Sequence, residues 1–324
     1  MFSVVQVFLP PGATGETQGS RIDLAMKIIA AILAVATIQI CAQAQTSTPR
    51  PKILGVDHVA FYTTQPDGVK KLYGDVLGLA SAAPVEAGGT LRYLVGQQWV
   101  GYSPAPDPNA TDRMDHVAFS TDNIVALRRY LTEKAVKTSQ IQGRSDHSLS
   151  IELSDPEGHH VEFIERGRSA SATTPDSAAS RHMIHAGFLV YHRDAEDHFY
   201  IDILGFRPYW HGGMKDDETD WVSMQVPDGN DWLEYMLNQP ENPGLRTTGV
   251  MNHISLGVAD MKKAQAVLEA HGWKPHGEEQ AKIGKDGKWQ LNLYDPDLTR
   301  VELMEFKPVQ KPCCSDFTGQ HPSE

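Results

Sequence analysis

The chain has 324 residues, a formal net charge of −12 at pH 7, and 40% hydrophobic and 22% charged residues. This is the composition of a soluble globular protein long enough for two domains with their own cores. The acidic balance and the lack of any long basic run exclude nucleic acid and anionic membrane as natural partners.

Lys27 precedes an apolar run from Ile28 to Ile40, which is followed by Ala42-Gln43-Ala44. A positive residue, a short apolar run and an A-x-A site describe a signal peptide over residues 26–44, cleaved after Ala44. The run is too short to span a bilayer comfortably. Residues 1–25, rich in turn formers and without periodicity, read as an extension from an upstream start. The mature protein is therefore expected to be secreted or periplasmic, with no membrane attachment.

A strand-like segment carrying a histidine then recurs: Asp57-His58-Val59-Ala60-Phe61, Asp115-His116-Val117-Ala118-Phe119, Ile184-His185-Ala186-Gly187-Phe188 and Asn252-His253-Ile254-Ser255-Leu256. Each copy leads into a stretch with apolar residues at helical spacing, over 68–79, 123–136, 194–206 and 261–273. Shorter alternating segments between Gly, Asp and Pro turns follow and read as strands, so the unit is βαβββ. The copies alternate in kind. The first and third share Leu72-Tyr-Gly-Asp-Val-Leu-Gly-Leu79 and Phe199-Tyr-Ile-Asp-Ile-Leu-Gly-Phe206. The second and fourth share Leu153-Ser-Asp-Pro-Glu-Gly-His-His-Val-Glu-Phe163 and Leu293-Tyr-Asp-Pro-Asp-Leu-Thr-Arg-Val-Glu-Leu303. This order implies that a pair of modules was duplicated.

Between the pairs, residues 168–181 are rich in Ser, Ala, Thr and Pro and read as a flexible linker. Residues 309–324 read as an inert tail. It holds Cys313 and Cys314, adjacent thiols that could also close a vicinal disulfide.

Paired βαβββ modules with a D-H-V strand, an F-Y-x-D-x-L-G-F helix end and a D-P-x-G-x-x-V-E strand resemble the vicinal oxygen chelate superfamily. That group holds glyoxalases, bleomycin-resistance proteins and extradiol dioxygenases. The resemblance runs over about residues 53–306 and implies an α+β fold of two such domains, residues 53–167 and 182–308. Each would be an incomplete mixed β-barrel with its helices outside and a metal or ligand in the cavity.

Strand alternation gives a check from the residues themselves. Val59 and Phe61 share one face, which leaves His58 and Ala60 on the other. Val161 and Phe163 likewise leave Glu162 opposite, as Val301 and Leu303 leave Glu302. Apolar faces belong under the helices, so the histidines and glutamates point into the cavity, where a divalent metal is the usual compensation. In the second half the set is His185, Glu234, His253 and Glu302, which resembles the complete four-ligand site of bacterial glyoxalase I. In the first half Gly101 lines up with Glu234, leaving His58, His116 and Glu162, a 2-His-1-carboxylate set. Such N/O groups suit Fe, Mn, Ni, Co or Zn.

The resemblance implies a metal-dependent enzyme acting on a small molecule chelated through two adjacent oxygens, by proton transfer of the isomerase or lyase kind. Glu302 and Glu234 are the candidate catalytic bases and the second half is the expected place of chemistry. An extradiol-type Fe(II) dioxygenase is the alternative, although Glu152 and Asn292 stand where that group's signature has a Tyr. A non-catalytic binding protein of the bleomycin-resistance type is the third reading. Of the other histidines, only His160 is expected on the cavity side of Glu162. His147 reads as a surface or supporting group, and His182, His192, His198 and His211 as solvated.

Overall fold

The computed structural model describes residues 48–82, 91–167, 174–277 and 279–324. The signal-peptide and upstream-extension readings fall outside these residues, as does the first part of the linker. Residues Pro49–Glu324 make up one compact unit.

The first half carries β1 (Ile53–Thr63), β2 (Ser81–Ala82), β3 (Leu91–Val95), β4 (Gln98–Pro104), β5 (Met114–Thr121), β6 (Gln142–Gly143), β7 (Leu149–Ser154) and β8 (His160–Glu165). They form one eight-stranded sheet in the order β2-β3-β4-β1-β5-β8-β7-β6. The second half repeats it with β9 (His182–Leu189), β10 (Arg207–Gly212), β11 (Trp221–Gln225), β12 (Trp232–Met236), β13 (His253–Val258), β14 (Lys282–Ile283), β15 (Trp289–Tyr294) and β16 (Arg300–Glu305), ordered β10-β11-β12-β9-β13-β16-β15-β14. Each half therefore joins two βαβββ modules along an antiparallel seam, β1 with β5 and β9 with β13. The expected pairing of neighbouring modules is what the sheets show.

Helix α1 (Pro66–Val69) continues as a π-helical segment to Val76, where the sequence pattern places one helix over 68–79. Helix α2 (Ile124–Glu133) starts where the Asn123 side chain accepts a hydrogen bond from the Ala126 amide at 2.9 Å, a normal N-cap. Helix α3 (Arg193–Asp197) again runs on as a π-helical segment, to Ile203. Helix α4 (Leu245–Met251) has no counterpart in the sequence reading, and helix α5 (Met261–Ala270) is capped by Asp260 in the way Asn123 caps α2. The inward faces bury Ile124, Leu127 and Leu131 of α2 and Met261, Ala264 and Leu268 of α5 in one core with Val59, Phe61, Phe119, Phe163, Leu256 and Leu303 of the strands. The alternation is as expected: one face of each sheet packs on helices and the other is free to build a site.

The two halves grip one another reciprocally. The Asp-Pro turn of the fourth module seats against the first: Tyr102 donates to Asp295 Oδ2 at 3.1 Å, its hydroxyl lies 2.8 Å from that of Tyr73, and Thr64 N donates to Asp297 Oδ2 at 2.9 Å. The matching turn of the second module seats against the third, where Tyr200 donates to Asp155 Oδ2 at 3.2 Å and Tyr191 N to Glu157 Oε1 at 2.8 Å. Gln98 joins the seam between them, donating to the carbonyls of Val56 and Met183 and accepting from Met183 N. The described end of the linker is also tied down. Thr174 accepts from Gly96 N at 2.6 Å, Ala179 N donates to Leu77 O at 2.9 Å, and Ser180 donates to Gly257 O at 2.6 Å. Residues 174–181 thus differ from the flexible segment their composition suggests, because short polar side chains here close backbone groups of both halves.

Burial pushes the Asp295 carboxyl up to about 6 against the hydrogen bonds from Thr299 N and Tyr102. A raised acid favours the fold most below its unfolded pKa and loses that contribution as pH rises through the folded value. The window is therefore about pH 4 to 6, and the two-unit shift is worth roughly 3 kcal/mol. Asp295→Asn should remove this dependence, so its stability relative to the parent chain should rise across that window in denaturant titrations. A constant difference from pH 4 to 7 would contradict the assignment.

Candidate metal centres

Cross-strand register explains how residues far apart in sequence meet. In the first half one row across the sheet reads Trp99–His58–Ala118–Glu162 and the adjacent row reads Arg92–Gly101–Ala60–His116. In the second half the corresponding rows read Trp232–His185–Ser255–Glu302 and Ser223–Glu234–Gly187–His253. Paired residues in a sheet project to the same face. Each histidine therefore faces a small residue on the strand beside it (Ala118, Ala60, Ser255 or Gly187), which leaves room for the rings to turn toward one another.

All seven expected side chains come together in two groups. In the first, His58 Nε2 lies 3.0 Å from His116 Nε2 and 3.0 Å from Glu162 Oε2, and His116 Nε2 is 3.8 Å from the same oxygen. In the second, His185 Nε2 and His253 Nε2 are 3.1 Å apart. Glu302 Oε2 lies 3.7 Å from His185, and Glu234 Oε2 lies 3.8 Å from His185 and 3.6 Å from His253. The strand register confirms that Gly101 occupies the place of Glu234.

The first group is supported from behind at every member. His58 Nδ1 pairs with Asp57 at 2.8 Å, His116 Nδ1 pairs with Asp115 at 3.1 Å, and Arg144 donates to Glu162 Oε1. Asp57 is in turn gripped by Arg166, and Asp115 accepts from Tyr62 at 2.6 Å. A carboxylate behind each ring draws the proton to Nδ1 and leaves the Nε2 lone pair directed at its neighbour. Two such lone pairs and Glu162 Oε2 then converge on one point. A proton on one ring relieves part of that repulsion; a divalent cation satisfies all three groups. The residues fit a metal.

Burial alone would push His58 down, but Asp57 and Glu162 outweigh it and hold the imidazole above its ordinary value. Burial likewise opposes ionisation of Glu162, yet His58 and the Arg144 charge bring it down to about 2. Asp57 is lowered despite burial, by His58 and Arg166. This wall of the first cavity carries ionised, paired groups.

The second group is buried differently. Burial keeps His185 and His253 well below the usual imidazole range, helped by His253 and Arg300 at His185 and by Arg300 at His253. His253 Nδ1 donates to Met251 O at 2.7 Å, while His185 Nδ1 has no hydrogen-bond partner. Burial and then Glu302 push Glu234 up to about 8. Lys288, fully buried and brought down to about 8 by burial, sits with Nζ 4.6 Å from the Trp232 ring, 5.2 Å from Phe317 and 5.6 Å from Tyr209. The four ligand groups fit a divalent metal, with a lysine cation held by aromatic rings close by.

Access separates the two. The first group opens on a cavity of about 930 Å³ walled by Trp99, Arg92, Arg144, Leu153, His160 and Phe199. The second faces a pocket of about 110 Å³, room for a few waters, walled by Trp210, Trp221, Trp232, Lys288 and Phe317 of the tail. The tail is therefore not inert. Phe317 packs 4.9 Å from the Tyr209 ring, His321 hydrogen-bonds the Tyr209 hydroxyl, Gln225 donates to Gln320 O at 2.7 Å, and Trp210 donates to Cys313 O at 3.2 Å. Cys313 and Cys314 are joined as a vicinal disulfide.

The other histidines divide as follows. His160 lines the first cavity as expected, and His147 is an exposed turn residue. His192, His198 and His211 are exposed. His182 is instead half-buried, 2.7 Å from Asp231. Arg92, Arg144 and Lys288 are the site residues that sequence reasoning missed. Their places follow from the assembled sheets, which local pattern does not write.

The profile of the Glyoxalase/Bleomycin resistance protein/Dioxygenase superfamily matches residues 55–163, and a second profile of the same description matches residues 184–291. The chain belongs to this superfamily. No curated protein matches it. Among solved structures it is similar to homoprotocatechuate 2,3-dioxygenase from Brevibacterium fuscum, complexed with 3,4-dihydroxyphenylacetate, at 15% identity over 84% of each chain with a TM-score of 0.56. It is also similar to the enzyme of that name from Arthrobacter globiformis, at 17% identity over 80% of this chain and 81% of the other with a TM-score of 0.57. The Mn(II)-bound glyoxalase from Novosphingobium aromaticivorans gives 15% identity over 79% and 83%, with a TM-score of 0.61. At these identities the likeness establishes the fold.

A Cβ at Gly187 would fall inside the His253 ring. Gly187→Ala should therefore lower metal affinity of the second group by at least about tenfold while leaving the first intact. His116→Ala should do the reverse, and elemental analysis after dialysis against graded chelator reads both. Loss of both metals from either single variant would contradict two independent centres. Phe317→Ala removes burial worth about 1.4 kcal/mol or more. It should speed chelator extraction of the second metal by about tenfold, and an unchanged rate would show that the tail does not limit access.

Proposed function

We propose that the protein is a metal-dependent enzyme whose substrate is a small molecule chelated through two neighbouring oxygens at the first-half group. One observation carries the reading: His58, His116 and Glu162 converge beside the large cavity, whereas the second group adjoins a pocket of only about 110 Å³. The metal, when bound, supplies Lewis-acid stabilisation of negative charge developing on the chelated oxygens. The chain's residues do the rest. Asp57 and Asp115 fix the tautomer and direction of the two imidazoles, and Arg144 fixes Glu162. Trp99 stacks on His58 at 3.8 Å and keeps water from that ring. His160, an exposed imidazole on the cavity wall, is placed to move a proton to or from bound substrate. Isomerase or lyase chemistry needs nothing further. The signal-peptide reading puts this activity outside the cytoplasm.

A second reading keeps chemistry at Glu234 and Glu302, supported by the fuller ligand set and the raised Glu234 carboxyl. Oxygen-dependent cleavage of a catechol is favoured by one feature of the first group: with Gly101 in place of a fourth ligand, only His58, His116 and Glu162 would hold a metal, leaving more of it open to substrate and a second small molecule.

His116→Ala should reduce kcat/KM by more than about 100-fold, as loss of Lewis-acid stabilisation implies, and Glu302→Gln should leave it within about threefold. The reverse result would assign the chemistry to the second group. Oxygen uptake with catechols, measured alongside, separates cleavage from isomerisation.

A further inference from the structure

The Asp-Pro turns that lock the halves together come in two copies, and the copies differ in a way that packing does not require. Where the fourth module meets the first, Tyr102 donates to Asp295, Val69 of α1 is wholly buried, and Thr299 follows the turn. Where the second module meets the third, the matching aspartate is Asp155. Here Glu196 of α3 takes the place of Val69, and His159 takes the place of Thr299. Glu196 is as fully buried as Val69. A carboxyl where the duplicate seats a valine is costly unless something compensates it.

We propose that Asp155, His159 and Glu196 hold a divalent cation of the zinc type, a third metal site set inside this seam and apart from the two paired-histidine groups. One ligand atom from each of the three lies within 4.8 Å of the others. The outer oxygens are already held by backbone amides: Glu157 N donates to Glu196 Oε1 at 2.9 Å, and His159 N donates to Asp155 Oδ1 at 2.9 Å. That anchoring leaves Asp155 Oδ2 and Glu196 Oε2 as the inner pair. Asp155 Oδ2 meets His159 Nδ1 at 2.7 Å and the Tyr200 hydroxyl at 3.2 Å. Glu196 Oε2 is buried with no hydrogen-bond partner. So is the hydroxyl of Tyr235 on β12, on which the charges of Glu196 and Asp155 act. Tyr102, the counterpart of Tyr235, is satisfied by Asp295.

Two carboxyls facing one another in a dry seam need a proton or a cation between them. A shared proton joins the carboxyls and makes no use of the histidine. A cation takes both inner oxygens and an imidazole nitrogen at once, releasing the proton that His159 shares with Asp155. Two carboxylates and an imidazole suit zinc, and ligands closed in by packing describe a structural site, which would tie the turn of the second module to α3 of the third. Asp155 and Phe199 also line the first cavity, which gives an ion a way in. Nothing in this depends on where substrate binds.

The test is zinc anomalous diffraction from the full-length protein crystallised with zinc chloride, with zinc per chain counted by elemental analysis after dialysis. It is made on the parent chain, Glu196→Val and Glu196→Gln. Glu196→Val copies the residue that the other seam carries, and Glu196→Gln keeps the side chain's shape, so the fold should survive. The expected result is a peak between Asp155, His159 and Glu196 in the parent chain, its loss in both variants with one zinc ion fewer per chain, and unchanged peaks at the two paired-histidine groups. A parent chain that carries zinc at those groups but none at the seam would show that the carboxyls share a proton and would overturn the inference. A parent chain that binds no zinc, a seam peak that persists in both variants, or loss of zinc from every group in both would overturn it as well.

Discussion

Everything in the two sites follows from one constraint: an antiparallel seam that sets two imidazoles edge to edge, 3.0 and 3.1 Å apart. The seam staggers its histidines so that each is opposite a small residue, and the parallel strands beside it bring in the carboxylates. Two Nε2 atoms at such distances need a proton or a cation between them. The burial of the rings, the carboxylates behind those of the first half and the closed helix-covered core all serve to hold that arrangement.

Duplication then allowed the halves to diverge. The second half has four ligand groups and Lys288 where the first has Ser148, and the C-terminal tail adds Phe317 to the wall of its pocket. The first lost a carboxylate at Gly101, gained Arg92 and Arg144, and retained a cavity large enough for a small molecule. A fuller ligand set therefore goes with poorer access. On the proposed function the place of chemistry is residues 58, 116 and 162 rather than residues 185, 234, 253 and 302.

The sequence was most legible where function depends on strand alternation. The repeated histidine strands, the helix positions, the cavity-facing glutamates and the correspondence of Gly101 with Glu234 can all be read from period-two patterning and spacing within a module. What escaped depends on partners that no local pattern names. Arg92 lies on a short strand, and Arg144 just after one, whose register is fixed only by the assembled sheet, and Lys288 is placed by three aromatic rings distant in sequence. The tail lacks periodicity because it is held by backbone and single-ring contacts rather than by a packed face. Residues 174–181 have linker composition for the same reason.

The most direct measurement is the diffraction structure of metal-loaded crystals soaked with 4-nitrocatechol, with anomalous scattering to locate the metal. The account expects metal between His58, His116 and Glu162 and between His185, His253, Glu234 and Glu302, with both catechol oxygens on the first metal alone. Catechol at the second metal, or no metal at the first, would contradict it.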